Sequence, residues 1–177
     1  ETENKDKAET SSKSSRSMWT LLKLPKVQLA IMGALVSQTV MVILMVMTPL
    51  HMDHNHHGRD SISMVISMHT LGMFGLSPLT GYLIDRFGRV AMMFVGALTL
   101  IASALLAPLS TNQFVLAAAL FLLGLGWNFA YVSGSSLLAD SLEGEERTRV
   151  QGINDSLSFL VAGVGSLGAG RLFEVGG

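Results

Sequence analysis

At 177 residues, with 49% hydrophobic and only 14% charged side chains, the chain falls well below the roughly 25% charge of a soluble domain. That composition points to a bilayer rather than water as its solvent. A net charge of −1 leaves no electrostatic footprint for a nucleic-acid partner, and the absence of cysteine excludes disulfides and thiolate metal sites.

The chain opens on polar material. Residues 1–17 are Ser, Lys and Glu with almost no apolar content, as in Ser11-Ser12-Lys13-Ser14-Ser15-Arg16-Ser17. Burial cannot offset the ordering entropy of such a segment. Residues 1–26 are therefore expected to be a disordered cytoplasmic linker or tail, with Trp19, Lys23 and Lys26 marking an interfacial lead-in. A bilayer core of about 30 Å takes about 20 apolar residues per helix, and five segments qualify: 27–50, 61–84, 91–110, 113–139 and 152–173. Asp155 and Arg171 trim the uncharged part of the last to 156–170. The expected fold is all-α, a polytopic membrane bundle of about five transmembrane helices over residues 27–177. The odd span number and the start at Glu1 lead us to expect a fragment of a longer protein.

Counting Lys and Arg by loop orients the bundle. The N-terminal segment, the 85–90 loop and the 140–151 loop share one side and hold ten, against Arg59 and Arg171 on the other. The positive-inside rule places the richer side in the cytoplasm.

The second and third segments are joined by Gly81-Tyr82-Leu83-Ile84-Asp85-Arg86-Phe87-Gly88-Arg89. The pattern Gly-x-x-x-Asp-Arg-x-Gly-Arg resembles the signature loop of the major facilitator superfamily of secondary transporters. The resemblance implies twelve helices in two halves, with the loop cytoplasmic and joining the second and third helix of a half. The chain has no arginine ahead of Phe121-Leu122-Leu123-Gly124-Leu125-Gly126 and no proline among Gly163, Gly165, Gly168 and Gly170. It therefore looks like the seventh to eleventh helices, a partial C-terminal half whose partner would be the missing N-terminal half. Gly81, Asp85, Arg86, Gly88 and Arg89 would form a conformational latch, with Glu143 and Glu146 among its acidic partners.

Polar side chains at mid-membrane usually face a cavity or the bundle interior. Gln38 in the first segment and Trp127, Asn128 and Tyr131 in the fourth are candidate substrate contacts, with Gly124, Asn128, Tyr131 and Ser135 at the spacing of one helix face. An amide, an indole and a phenol suit a small organic substrate. His69 and Asp155 are candidate proton carriers. In the outer loop, His51, His54, His56 and His57, with Met41, Met45 and Met47 nearby, offer a rival reading as a metal transporter or sensor. A second rival pairs His69 with Ser133, Ser135 or Ser136 as an intramembrane hydrolase. No cofactor is expected. Gly163-Val164-Gly165-Ser166-Leu167-Gly168 fits a dinucleotide-binding pattern, but it lies inside an apolar helix and reads as packing. The leading expectation is alternating-access transport, coupled to H⁺ and directed outward.

Overall fold

The computed structural model describes residues 16–176, with the side chains of 172–176 left aside. Residues 1–15, most of the expected disordered tail, lie outside the described residues. The rest folds entirely into helices: α1 (Met18–Leu22), α2 (Pro25–His54), α3 (Arg59–Phe74), α4 (Ser77–Phe87), α5 (Arg89–Leu106), α6 (Gln113–Ser141) and α7 (Gly144–Gly176), with a 3₁₀ turn at Ala107–Leu109. Among the described residues, four spans are long and apolar enough to cross a membrane: Pro25–His54, Arg59–Phe87, Arg89–Leu109 and Gln113–Ser141. The fifth expected span lies on α7, which begins at Gly144, eight residues earlier than the sequence suggested.

Helix starts follow local chemistry. Pro25 opens α2, where its missing N–H costs no hydrogen bond. Asn112 caps α6 by accepting the Phe114 N–H at 2.9 Å. The second span is interrupted. The α3 ladder closes at Gly75, whose N–H reaches Leu71 O at 2.7 Å, and Leu76 is non-helical before α4 begins. Pro78 sits in the first turn of α4, a position that suits proline.

The bundle is organised around α6, which packs against α2, α3 and α5. Two glycine pairs set the distances. A Cβ on Gly124 would come within 2.2 Å of His69 O, and one on Gly72 within 2.3 Å of Phe121 O, so α3 and α6 touch backbone to backbone. Gly96 and Gly126 do the same for α5 and α6. Apolar side chains gain nothing by leaving lipid for protein, so this close approach is what binds the helices. In the outward direction, Phe94, Leu98, Ile101 and Leu105 of α5 are exposed, as a lipid-facing stripe requires.

The N-terminal expectation needs correction over 16–26. Leu21 of α1 is 0% exposed and packs with Val27, Ala30, Leu137, Leu138, Leu142 and Val150. One buried leucine and a clasp at Arg16 therefore dock this segment, while Trp19 remains 75% exposed.

Candidate functional site

The joint between α4 and α5 is a single residue. Asp85 and Arg86 belong to the last turn of α4, and Gly88 turns the chain with φ 89° and ψ 155°. That conformation is essentially restricted to glycine. Gly81 has no comparable constraint: a Cβ there would meet nothing within 4 Å. Arg89 bridges two acids, with its Nε 2.8 Å from Asp140 Oδ2 and a terminal nitrogen 3.6 Å from Asp85 Oδ1. The Nε–H is not aimed along the shorter contact, which makes it an ion pair rather than a hydrogen bond. Arg86 turns back on its own helix and donates to Tyr82 Oη at 2.9 Å.

Glu146 does not meet the arginines of this joint. It accepts from the Arg16 backbone N–H at 2.8 Å and from the guanidinium at 2.7 Å, clasping the segment before α1 to the start of α7. Arg16 holds the Glu146 carboxyl below the usual carboxylate range through these hydrogen bonds. Glu143 lies close enough to add to the field at Arg16.

A second set of polar groups runs across three helices. Trp127 Nε1 donates to Gln38 Oε1 at 2.9 Å, joining α6 to α2. The Trp127 ring stacks on Tyr131, one turn along α6, with centroids 4.8 Å apart and planes 12° off parallel. Tyr131 Oη then donates to Asp155 Oδ1 of α7 at 3.5 Å. Gln151 Nε2 donates to the same oxygen at 3.0 Å, and to Ser135 Oγ at 3.3 Å. Gln38, Trp127, Tyr131, Ser135, Gln151 and Asp155 are all half-buried. The early start of α7 puts Asp155 three turns into the helix, at roughly 16 Å from its first residue at 1.5 Å per residue. Sequence reasoning missed Gln151; its i, i+4 spacing to Asp155 was the available signal.

Asn128 does not share this face. It is 2% exposed and turns toward α3 and α4, donating to Met73 O and to Ser77 Oγ and accepting from Thr80 Oγ1. It braces α6 against the interruption between α3 and α4. His69 lies on the same side, 3% exposed, with Nδ1 3.2 Å from Leu120 O. The ring nitrogen is there a donor, because a carbonyl can only accept. The imidazole joins α3 to α6 rather than opening to a cavity, and among the described residues none of Ser133, Ser135 and Ser136 bonds to it. His51 and His54 extend the last turn of α2. Among the described residues no three His, Cys, Asp or Glu side chains converge as metal ligands, so the four histidines are not brought together.

A bundle of apolar helices whose second and third spans meet at an Asp-Arg-x-Gly-Arg joint is the architecture of a multi-pass membrane protein. The chain belongs to the Major Facilitator Superfamily, whose family model matches residues 29–177. It is 38% identical over 140 residues to the uncharacterized MFS-type transporter YddS of Bacillus subtilis, covering 78% of this chain and 32% of that protein. With YdeG of the same organism, likewise described as an uncharacterized MFS-type transporter, it shares 39% over 147 residues, 80% of this chain and 34% of the other. It is 30% identical over 162 residues to the riboflavin transporter RfnT of Brucella anthropi, 92% of this chain and 41% of that one. The chain thus spans about a third to two fifths of the relatives it matches. No solved structure matches. The family is one of transporters, not enzymes.

Proposed function

We propose that the chain is the greater part of the C-terminal half of a secondary transporter that moves a small organic solute by alternating access. The observation that carries this reading is the row Gln38–Trp127–Tyr131–Asp155, held by three helices on the side of α6 that faces α2 and α7. Half-buried polar groups at this depth need water, solute or a facing protein surface. The missing N-terminal half would supply that surface and close the cavity. The Arg89–Asp140 and Arg89–Asp85 pairs, on the cytoplasmic side, would break and re-form as the halves rock. Exposed pairs of this kind are each worth about 0–1 kcal/mol, weak enough to open in every cycle.

Coupling to H⁺ is assigned to Asp155 in preference to His69. The carboxylate lies within the row, whereas the imidazole is occupied by a backbone carbonyl between two packed helices. Outward transport driven by proton entry follows from this coupling if the solute leaves as the proton arrives. The test uses the complete transporter in proteoliposomes, with a single cysteine at Ser135 and no other. Thiol labelling from both faces, in proportions that shift with an imposed proton gradient, is the expected result. Labelling from one face only under every gradient overturns alternating access at this row. In the same vesicles, Asp155→Asn should remove the response to the gradient and His69→Gln should keep it; the reverse outcome returns coupling to the histidine.

A further inference from the structure

The short helix α1 docks at one end of the polar row. The row is held by α2, α6 and α7. Leu21, 0% exposed, shares one buried cluster with Val27 and Ala30 at the start of α2, Leu137, Leu138 and Leu142 at the end of α6, and Val150 near the start of α7. The same three helices therefore surround the leucine and the row. Tyr131, Ser135, Leu138 and Leu142 follow one another in three- and four-residue steps, along one stripe of α6. Val150 directly precedes Gln151. Leu138 lies roughly 5 Å, at 1.5 Å per residue, beyond the Ser135 hydroxyl that accepts from Gln151. The leucine cluster begins where the polar row stops.

The segment that brings Leu21 there is built to come away. α1 has five residues, far fewer than the about 12–15 that an isolated helix needs in water, so its order depends on docking. Its neighbours Trp19 and Thr20 are exposed, and Ser17 makes no side-chain cap. The second tether is the clasp of Arg16 on Glu146, through the backbone N–H at 2.8 Å and the guanidinium at 2.7 Å. The Arg16 side chain is 45% exposed, and an ion pair open to water on one side exchanges readily with it. α2, by contrast, does not depend on α1. Leu24 is extended and Pro25 begins the helix with no N–H to bond backward. Residues 16–24 can leave without unwinding α2.

We propose that residues 16–24 form a strap over one mouth of the polar row, the mouth on the face that the charge count assigns to the cytoplasm. Docked, Leu21 excludes water from that end of the row and the Arg16–Glu146 clasp holds it in place. Released, the strap opens a path between the end of α6 and the start of α7, two helices that pack chiefly on α2 and little on each other. Ser135 and Gln151 are the first polar groups on that path. This gate rests on the transport reading above and deepens it: it lies within one half, and so is separate from the rocking of the halves.

The test uses the complete transporter with its single cysteine at Ser135→Cys, in right-side-out and inverted membrane vesicles, with a membrane-impermeant maleimide and no imposed gradient. Leu21→Ala should speed labelling from the cytoplasmic face by about tenfold, and Arg16→Gln by roughly two- to fivefold, with no gain from the outer face. Thr20→Ala, an exposed change on the same helix, should keep the parental rate. Arg16→Glu combined with Glu146→Arg should return the rate toward the parent. In a second protein, spin labels at Trp19→Cys and Thr148→Cys should give one distance when clasped and a further, longer population after Arg16→Gln. A rise confined to the cytoplasmic face in either Leu21→Ala or Arg16→Gln sustains the strap. It is overturned if both keep the parental rate, or if labelling rises from both faces together, as general loosening of the bundle would produce. The gradient dependence of labelling in the parent reads alternating access, whereas the change on releasing residues 16–24 reads the gate, so either can fail with the other intact.

Discussion

The two sides of α6 are built from opposite materials. Toward α3 and α5 the helix presents Gly124, Gly126, Leu120, Asn128 and the backbone itself, all buried, with His69, Thr80 and Ser103 from the neighbouring helices bonding into it. Toward α2 and α7 it presents Trp127, Tyr131 and Ser135, half-buried and joined through side chains, with one closer approach where Gly134 faces the α2 backbone at Ala30 O. Backbone contact tolerates almost no displacement, because a shift of an ångström closes or opens the whole seam. Side-chain contacts between amides, hydroxyls and rings can be exchanged for others at small cost. One helix thus has a static side that fixes the bundle and an adaptable side that can take a partner, and the difference is set by residue size rather than by polarity.

Enlarging the static side should give the largest effect. Gly124→Val places new atoms on His69 O and should cost more than about 1–3 kcal/mol, the usual range for overpacking. The folded yield in detergent and the thermal midpoint measure it. Gly163→Ala, where a Cβ meets nothing within 4 Å, is the matched control and should be neutral or slightly stabilising. Equal losses at both positions would mean that the seam has no special role.

Asn128→Leu comes next. It removes two donors and one acceptor around the interruption of the second span, and losses of about 1–3 kcal/mol are expected. Solute affinity should not change in the protein that does fold. A large affinity change at unaltered stability would move Asn128 to the adaptable side after all. His69→Gln should cost less, about 0.6–1.7 kcal/mol for one interhelical bond in lipid, with thermal midpoint as the measurement.

The smallest effect belongs to the Arg16–Glu146 clasp, which lies outside the seam. Arg16 holds the Glu146 carboxyl below its ordinary value when docked. Docking is therefore fully stabilised above the free glutamate pKa of about 4.3 and is lost as the pH falls through the lower, docked value. The emission of Trp19 on the docked α1, read against Glu146→Gln as the uncoupled reference, should shift in that acid window in the parent chain only.

The spans and the joint were legible because each rests on short-range signals: uninterrupted apolar runs, and an Asp, two Arg and two Gly within nine residues. The division of labour on α6 was not. Asn128 and Tyr131 differ by about 60° around a helix of 3.6 residues per turn, close enough for a periodicity argument to group them. Which of the two meets α3 is decided by the glycine seam at Gly72 and Gly124, a contact made across the fold. The partner of Glu146 was hidden for a related reason. Charge counts leave each acid a choice among several arginines, and the one that docks, Arg16, lies 130 residues away in a segment whose composition reads as tail. The start of α7 lies ahead of the expected span because Glu145, Glu146, Arg147 and Arg149 interrupt the apolar run by which a span is read.

Gly88 has space around it, with nothing within 4 Å of a hypothetical Cβ, so neighbours do not restrict its identity. The restriction is wholly in its backbone angles, φ 89° and ψ 155°, where any other residue is strained by about 1–3 kcal/mol. Every glycine codon begins with a pair of guanines, and a change in either base installs a side chain or a stop. No single-base missense change at this codon can therefore be conservative. Compensation would have to come from elsewhere, because there is no clash for a neighbour to relieve. Natural variants should arise freely at the open glycines of α7 and be nearly absent at this one-residue joint, and a deep mutational scan of the transporter gene would show that contrast without any knowledge of the solute.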